Sequence, residues 1–252
     1  MVPILILLFD LDAQHAIGTS LIMIVFTALS ASFAYYRQRR IDWQIGLMAA
    51  TTTAPGAIIG GLTTQYVPPR ILSIILGGAT FLLAAAMLRR SFRNQKAILS
   101  RADLANKHEP RKGIWQRQLT DNTGSVFEYD ARIPSGLVFL FLGGLASGFL
   151  GLGGGLVVVP IFATLVGLPM HIAVATSMLT MIFTSIAGAS THFLLGNVLI
   201  DYTAPLVVGI LIGTQLGART ARRLKSTGLE RAFAIIVLLI GIVLVIRQIL
   251  GI

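Results

Sequence analysis

The sequence predicts an all-α polytopic membrane protein made of two homologous repeats. Hydrophobic residues make up 55% of the chain and charged residues only 12%, whereas a soluble domain carries about 25% charged residues. Apolar stretches of about 18 or more residues without charge are long enough to cross a bilayer. Long ranges without Asp, Glu, Lys or Arg include 43–69, 71–88, 133–170 and 172–200.

Short motifs of the first half return in the second half. Many secondary transporters consist of two such repeats and hold their substrate where the repeats meet. The repetition therefore indicates a transport protein before any catalytic motif is considered. The matching pairs are Val2-Pro3 with Val159-Pro160, residues 16–20 (AIGTS) with 173–177 (AVATS), 41–43 (IDW) with 200–202 (IDY), and Gly56 and Gly60 with Gly213 and Gly217.

The apolar blocks divide the chain into two membrane repeats joined by a basic linker. The first repeat comprises residues 1–89 and the second comprises residues 133–252. Residues 90–132 are predicted to form an irregular cytoplasmic linker with a short surface helix around 91–106, and their excess of Lys and Arg favours anionic lipid headgroups. The predicted spans of the first repeat are 14–36, 42–64 and 70–89.

Basic residues predict opposite orientations for the two repeats. The connector 37–40 of the first repeat contains three Arg residues, whereas the equivalent connector 194–198 of the second contains no positive charge. The next connector of the second repeat, 219–231, is strongly basic. Because basic connectors stay in the cytoplasm, residues 37–41 are predicted inside, 194–198 outside and 219–231 inside. Such an inversion needs an odd number of crossings per repeat.

Segment 133–169 is the candidate for an element that enters the bilayer without crossing it. It consists of two apolar arms separated by the glycine run 151–155 (GLGGG). At about 1.5 Å per residue, each arm reaches only about the middle of the bilayer. We therefore predict a re-entrant hairpin whose broken backbone is buried in protein or lines a wet cavity. The alternative is one long kinked span, with four crossings per repeat and parallel repeats.

Several of these motifs together resemble the TauE/SafE sulfite exporter family. They are residues 151–160 (GLGGGLVVVP), 173–177 (AVATS), 192–201 (HFLLGNVLID) and 213–219 (GTQLGAR). The resemblance extends over almost the whole chain, more weakly in the first half. It implies a multi-pass permease of the bacterial inner membrane that moves sulfite, sulfonates or related small anions.

The first repeat departs from this pattern at its beginning. Val2-Pro3 corresponds to Val159-Pro160, so the printed sequence holds no counterpart of residues 133–157. We expect the first hairpin to be incomplete in this chain, and a misassigned start codon is the simplest explanation.

The glycine run is the first candidate for a substrate site. A helix broken at Gly151, Gly153, Gly154 and Gly155 frees backbone N–H groups, and the helix that restarts near Leu156 directs its positive dipole at an anion. The alternative is close helix packing through small residues.

Hydroxyl groups at equivalent positions of the repeats are further candidates. Thr19 and Ser20 correspond to Thr176 and Ser177, and their hydroxyls can donate to an oxyanion without a buried charge. The alternative is that they bond to their own helix or to a neighbouring helix. Thr180 and Thr184 continue the same face.

Three titratable residues are candidates for gating or coupling. Asp42 and Asp201 follow equivalent connectors, where a carboxylate serves either as a helix N-cap or as a gate or proton site. His192 lies at the end of a predicted span and titrates near neutral pH in its unperturbed state. It is either an interfacial residue or part of a gate.

Other functional classes are disfavoured. The chain has no cysteine, no His-x-x-x-His pair and no carboxylate within the predicted bilayer cores, so neither an intramembrane enzyme nor a metal site is indicated. We expect no cofactor. The net charge of +10 lies in the linker and at span ends, which does not suit nucleic acid. An anion channel, or a carrier of an unrelated organic anion, remains the alternative function, and a homo-oligomer is left open.

Overall fold

The computed structural model describes residues 1–68, 70–72, 74, 75, 78, 114–223 and 239. Of these, the helices Ala13–Arg37, Trp43–Thr64 and Met170–Leu194 are long and apolar enough to cross a membrane. The predicted spans 14–36 and 42–64 are thereby confirmed as helices. Most of the span predicted at 70–89 lies outside the described residues, as does the surface helix predicted at 91–106. The elements are α1 (Val2–Phe9), α2 (Ala13–Arg37), α3 (Trp43–Thr64), β1 (Ile114–Thr120), β2 (Val126–Arg132), α4 (Ile133–Leu150), α5 (Gly155–Ile161), a π-helical turn (Phe162–Val166), α6 (Met170–Leu194) and α7 (Ile200–Arg223).

Helices α3 and α4 run parallel and approach closely through glycine. A β-carbon added at Gly56 would lie 2.5 Å from the carbonyl oxygen of Phe141, and one added at Gly148 would lie 2.7 Å from the carbonyl carbon of Ala57. Small residues at four-residue spacing let membrane helices meet backbone to backbone, where van der Waals contact drives association. This contact holds the α4 arm against α3.

The directions of the other long helices follow from their contacts. Helix α6 runs parallel to α3, because Thr184 bonds to Thr53 and Thr191 packs against Gly61. It runs antiparallel to α2, because Leu21 packs against Gly188 while Tyr35 lies near the start of α6.

Helix α7 runs parallel to α2. Leu199, just before α7, donates to the hydroxyl of Thr19, and Gln215 donates to the hydroxyl of Ser30. We call the end of the molecule that contains Asp42 the linker face and the opposite end the far face. Helices α3, α4 and α6 begin at the linker face, and α2 and α7 begin at the far face.

The chain folds back on itself between α4 and α6. A β-carbon at Gly136 would lie 2.6 Å from Val166, and one at Gly143 would lie 3.3 Å from Val157 and 3.4 Å from Ile161. The two arms are therefore antiparallel, and the turn between them is the glycine run. A long helix continuing in one direction through this segment does not form.

The end of the linker forms a β-hairpin, which the sequence analysis did not predict. Strands β1 and β2 pair antiparallel from Ile114 with Arg132 to Thr120 with Val126. The Asp121 carboxylate accepts from the N–H groups of Thr123 and Ser125 and closes the turn. The protein is thus mostly helical rather than all-α, and residues 114–132 are regular rather than irregular. The alternation of apolar and charged residues over 127–132, after a turn that contains Asn122 and Gly124, was the available signal.

Candidate functional site

The glycine break is buried between α2 and α6. Gly151, Gly153 and Gly154 have φ values of 65°, 63° and 85°, in the left-handed region that favours glycine. A β-carbon at Gly151 would lie 3.0 Å from the Cα atom of Ile17, and one at Gly153 would lie 2.8 Å from Ile24. Both backbone conformation and space therefore require glycine here. On the other side, a β-carbon at Gly155 would lie 2.8 Å from the sulfur of Met181 in α6.

Uncharged hydroxyl groups surround the break. The Ser20 hydroxyl donates to the carbonyl oxygen of Gly151 at 3.0 Å. Thr53 and Thr184 share a hydrogen bond of 2.6 Å between their hydroxyls, and the methyl group of Thr184 lies 3.8 Å from the β-carbon position of Gly154. The Ser147 hydroxyl lies at the same distance from that position. All four hydroxyl residues have no exposed surface.

The other predicted hydroxyls lie away from the break. Thr19 accepts a hydrogen bond from the N–H of Leu199 at 3.0 Å, near the far face. Thr176 accepts one from the N–H of Asp42 at 3.0 Å, at the linker face. Ser177 donates to the carbonyl oxygen of Val174 in its own helix. Of the four predicted hydroxyl residues, the structure brings only Ser20 to the glycine run.

Asp42 is the N-cap of α3 and also the centre of an ion-pair cluster. Its carboxylate accepts from the N–H of Ile45 and, at 2.9 Å and 3.1 Å, from the Arg117 guanidinium of β1. The hydroxyl of Tyr129 in β2 donates to it at 2.7 Å. Burial and this hydrogen bond raise the pKa of Tyr129. The carboxylate is 1% exposed, so the linker hairpin covers the start of α3.

A second ion pair holds the tip of the β-hairpin on the connector between α2 and α3. The Arg40 guanidinium donates to Asp121 at 2.7 Å, and the N–H of Asn122 donates to the carbonyl oxygen of Gln38 at 3.1 Å. Burial alone would raise the pKa of Asp121, but hydrogen bonds from Thr123 and Arg40 outweigh burial and lower it. Asp121 is therefore ionised at neutral pH.

His192 is buried at the far end of α6. Its Nε2 atom lies 3.1 Å from the carbonyl oxygen of Gly148, which can only accept, so Nε2 carries hydrogen. Its Nδ1 atom lies 3.4 Å from the side-chain nitrogen of Asn197 in the next connector. His192 thus links α6, the α4 arm and the connector to α7. Asp201 lies in the first turn of α7, and its side chain lies outside what the structure describes.

Sequence reasoning missed part of this arrangement. Ser147 is the hydroxyl residue of this arm nearest the break, and residues 136–146 before it are all apolar, which was a usable signal. The pairing of Asp42 with Arg117 and Tyr129 had no such signal, because the partners are far apart in sequence. Within the described residues, no three His, Cys, Asp or Glu side chains form a group that could hold a metal ion.

Three long apolar helices that enclose buried uncharged polar groups define a multi-pass helical membrane protein. The family model described as Sulfite exporter TauE/SafE matches residues 1–244. The chain belongs to the TauE/SafE sulfite exporter family, which is a family of transporters and not of enzymes. The resemblance identified from the sequence is thereby confirmed.

Curated relatives agree with the family model. The chain is 31% identical over 232 residues to the "Probable membrane transporter protein YunE" of Bacillus subtilis, covering 92% of this chain and 81% of that protein. It is 27% identical over 218 residues to the "Probable membrane transporter protein YdhB" of the same organism, covering 86% and 77%. It is 32% identical over 107 residues to the "Sulfite exporter TauE/SafE family protein 3" of Arabidopsis thaliana, covering 42% and 22%. No solved structure matches the chain.

Proposed function

We propose that the protein is a secondary transporter of small anions, most favourably sulfite or organosulfonates, in the bacterial inner membrane. The observation that carries this proposal is the buried glycine break with its ring of uncharged hydroxyls. Gly151 and Gly153 of the break contact Ile17 and Ile24 of α2. At 1.5 Å per residue, these two positions lie about 6 Å and about 17 Å from the end of α2 at the far face, and the break lies at this depth. A polar break at this depth is the arrangement in which membrane transporters hold substrates.

The chemistry of the break suits an anion that must bind and then leave. The first turn of α5 has backbone N–H groups without intrahelical partners, and its positive dipole favours negative charge. Ser20 and the Thr53–Thr184 pair add polar groups without formal charge. A buried Arg or Lys at this point would bind an anion more tightly and slow its release. We propose Gly151, Gly153, Gly154 and Gly155 as the substrate site, with Ser20 holding the carbonyl oxygen of Gly151 in place.

Helix directions support two inverted repeats that work by alternating access. Helices α2 and α6 are homologous and antiparallel, and α3 and α7 are homologous and begin at opposite faces. Thr19 meets the connector before α7, and Thr176 meets the connector before α3. Reciprocal contacts between homologous positions are what a two-fold relation produces. In this proposal, segment 133–167 is the re-entrant hairpin of the second repeat.

We assign the linker face to the cytoplasm. Arg37, Arg39, Arg40 and Arg132 lie at this face, and the basic end of α7 reaches it as well. The connector 195–199 at the far face contains no charge. This distribution follows the positive-inside rule.

The two faces carry candidate gates. At the linker face, Asp42 ties the start of α3 to the linker hairpin and to Thr176 of α6. At the far face, His192 ties α6 to the α4 arm and to Asn197, and Asp201 begins the next helix. Thr19 lies at the depth of the break but faces the connector before α7, and Thr176 lies at the linker face. We propose that Thr19, Thr176 and Ser177 contact substrate along its path rather than at the break.

The test is counterflow of labelled sulfite in proteoliposomes, with sulfate, taurine and acetate as competitors. Saturable counterflow supports a carrier, whereas anion conductance without counterflow supports the channel alternative. Gly154→Leu should abolish counterflow. The matched control is Gly196→Leu, since Gly196 also has a positive φ, of 74°, but lies in a turn where none of the described atoms is within 4 Å of a β-carbon. Equal flux in the two variants, with equal insertion, would contradict the role of the break.

A further inference from the structure

Ser147 is the exception among the buried hydroxyls around the break. Its Oγ atom is fully buried and has no hydrogen-bond partner. Serine in a helix ordinarily bonds back to the carbonyl one turn earlier, as Ser185 does to Met181 in α6. A buried donor without a partner costs free energy, so its persistence beside a functional break calls for a ligand.

The space beside Ser147 has room for an atom. A β-carbon at Gly154 would meet its nearest neighbour, Val158, at 3.4 Å, which is ordinary van der Waals contact. Its next neighbours are the Ser147 hydroxyl and the Thr184 methyl group, both at 3.8 Å. At Gly151 and Gly153, by contrast, a β-carbon would meet atoms at 2.8 Å or less. Gly154 is therefore the least crowded glycine of the break, and the free hydroxyl lies beside it.

The neighbouring hydroxyls have no spare hydrogen. Thr184 donates to the carbonyl oxygen of Thr180 at 2.9 Å. The hydrogen between Thr53 and Thr184 must then come from Thr53. The hydroxyl of Ser20 is directed at two carbonyl oxygens, those of Ile17 and Gly151. Among the buried hydroxyls at the break, Ser147 alone retains a free donor.

We propose that Ser147 donates a hydrogen bond to one oxygen of a small oxyanion seated beside Gly154. This inference rests on the proposed function and names the residue that recognises the –SO₃ group shared by sulfite and sulfonates. A single neutral donor distinguishes an oxyanion with localised negative oxygens from an uncharged solute of the same size, because hydrogen bonds to charged groups are the stronger ones.

The variant Ser147→Ala separates this role from a structural one. Removing an unpartnered hydroxyl should leave the unliganded protein at least as stable as the parent. The loss of one hydrogen bond to a charged ligand should weaken binding about 10- to 100-fold. Ser185→Ala is the matched control, since that hydroxyl is equally buried but bonded to its own helix and not at the break. It should leave affinity unchanged.

The experiment measures binding of sulfite and of methanesulfonate to the purified full chain in nanodiscs by calorimetry, with thermal unfolding of each unliganded variant. Weaker binding by Ser147→Ala alone, at unchanged or higher unfolding temperature, is the expected result. Parent-like affinity in Ser147→Ala, or a marked loss of its unliganded stability, would overturn the role of Ser147 and leave the transport proposal intact. If the parent chain binds neither anion and gives no sulfite counterflow, the proposed function fails, and the subsite fails with it.

Discussion

Gly56 and Gly213 occupy equivalent positions in the two repeats, yet alanine should affect them in opposite ways. A β-carbon at Gly56 would lie 2.5 Å from the carbonyl oxygen of Phe141 and 2.9 Å from the backbone nitrogen of Leu145. At Gly213, none of the described atoms lies within 4 Å of that position. Both glycines lie inside helices, so the change in intrinsic helix propensity is the same. The difference between the variants therefore reports packing against α4.

The size of the effect follows from the distances. Relief of the contact at Gly56 to about 3.4 Å requires α3 and α4 to separate by about 0.9 Å, and a gap of 0.5–1 Å already forfeits about a quarter to a half of each dispersion contact. Overpacking of this kind costs about 1–3 kcal/mol, against a gain of up to about 1 kcal/mol for replacing glycine within a helix. We expect Gly56→Ala to lose about 1–2 kcal/mol of unfolding free energy. Gly213→Ala should gain about 0.5–1 kcal/mol.

Unfolding of the two variants and the parent in the same detergent, followed by circular dichroism, measures this difference. Gly148→Ala is a second probe of the same contact, because its β-carbon would lie 2.7 Å from the carbonyl carbon of Ala57. It should behave like Gly56→Ala. Equal shifts for Gly56→Ala and Gly213→Ala would refute the close α3–α4 contact on which the position of the break depends.

The remaining predictions concern the linker hairpin and topology. Tyr129→Phe removes one hydrogen bond to the buried Asp42 carboxylate and should cost about 1.5–3 kcal/mol of hairpin docking, measured by protease protection of the linker. The pKa of Asp121 is lowered in the folded protein, so its stabilising effect is present above the ordinary value of about 4 and is lost on acidification below it. Tryptophan fluorescence should follow that loss, and Asp121→Asn should flatten it. Because the chain has no cysteine, single cysteines at Asn197 and Thr123 should be labelled from opposite sides of the membrane, and labelling from one side would contradict the proposed topology.

The sequence predicted the parts of the fold that depend on local composition. Charge-free apolar runs of sufficient length predicted α2 and α3, and the glycine run predicted the break, because hydropathy and backbone freedom are properties of neighbouring residues. The β-hairpin was missed although its alternation was present, since its polar composition and position between spans favoured an irregular linker. The hairpin docks on Asp42 through Arg117 and Tyr129, which are far from Asp42 in the sequence. No local pattern predicts such a contact.

The candidate site was predicted only in outline. Ser20 was found from its repeated position, and it does contact Gly151. Ser177, at the equivalent position, donates to the carbonyl oxygen of Val174 in its own helix instead. Ser20 and Ser177 therefore do not share a kind of neighbour, although Thr19 and Thr176 make equivalent contacts with the connectors before α7 and α3.

The sequence by itself determined the class of protein, the spans that form α2 and α3, the place where the backbone breaks and the family to which the chain belongs. The class, the spans and the break follow from hydrophobicity, charge and glycine content within short stretches of chain, and the family follows from the motifs that resemble it. Only the tertiary structure decided that the arms around the break fold back, that Gly56 is crowded, and that Ser147 is the buried hydroxyl at the break left without a partner. These features depend on which helices meet and in which direction, and helix contact in a membrane is set by the shapes of surfaces that are distant in sequence.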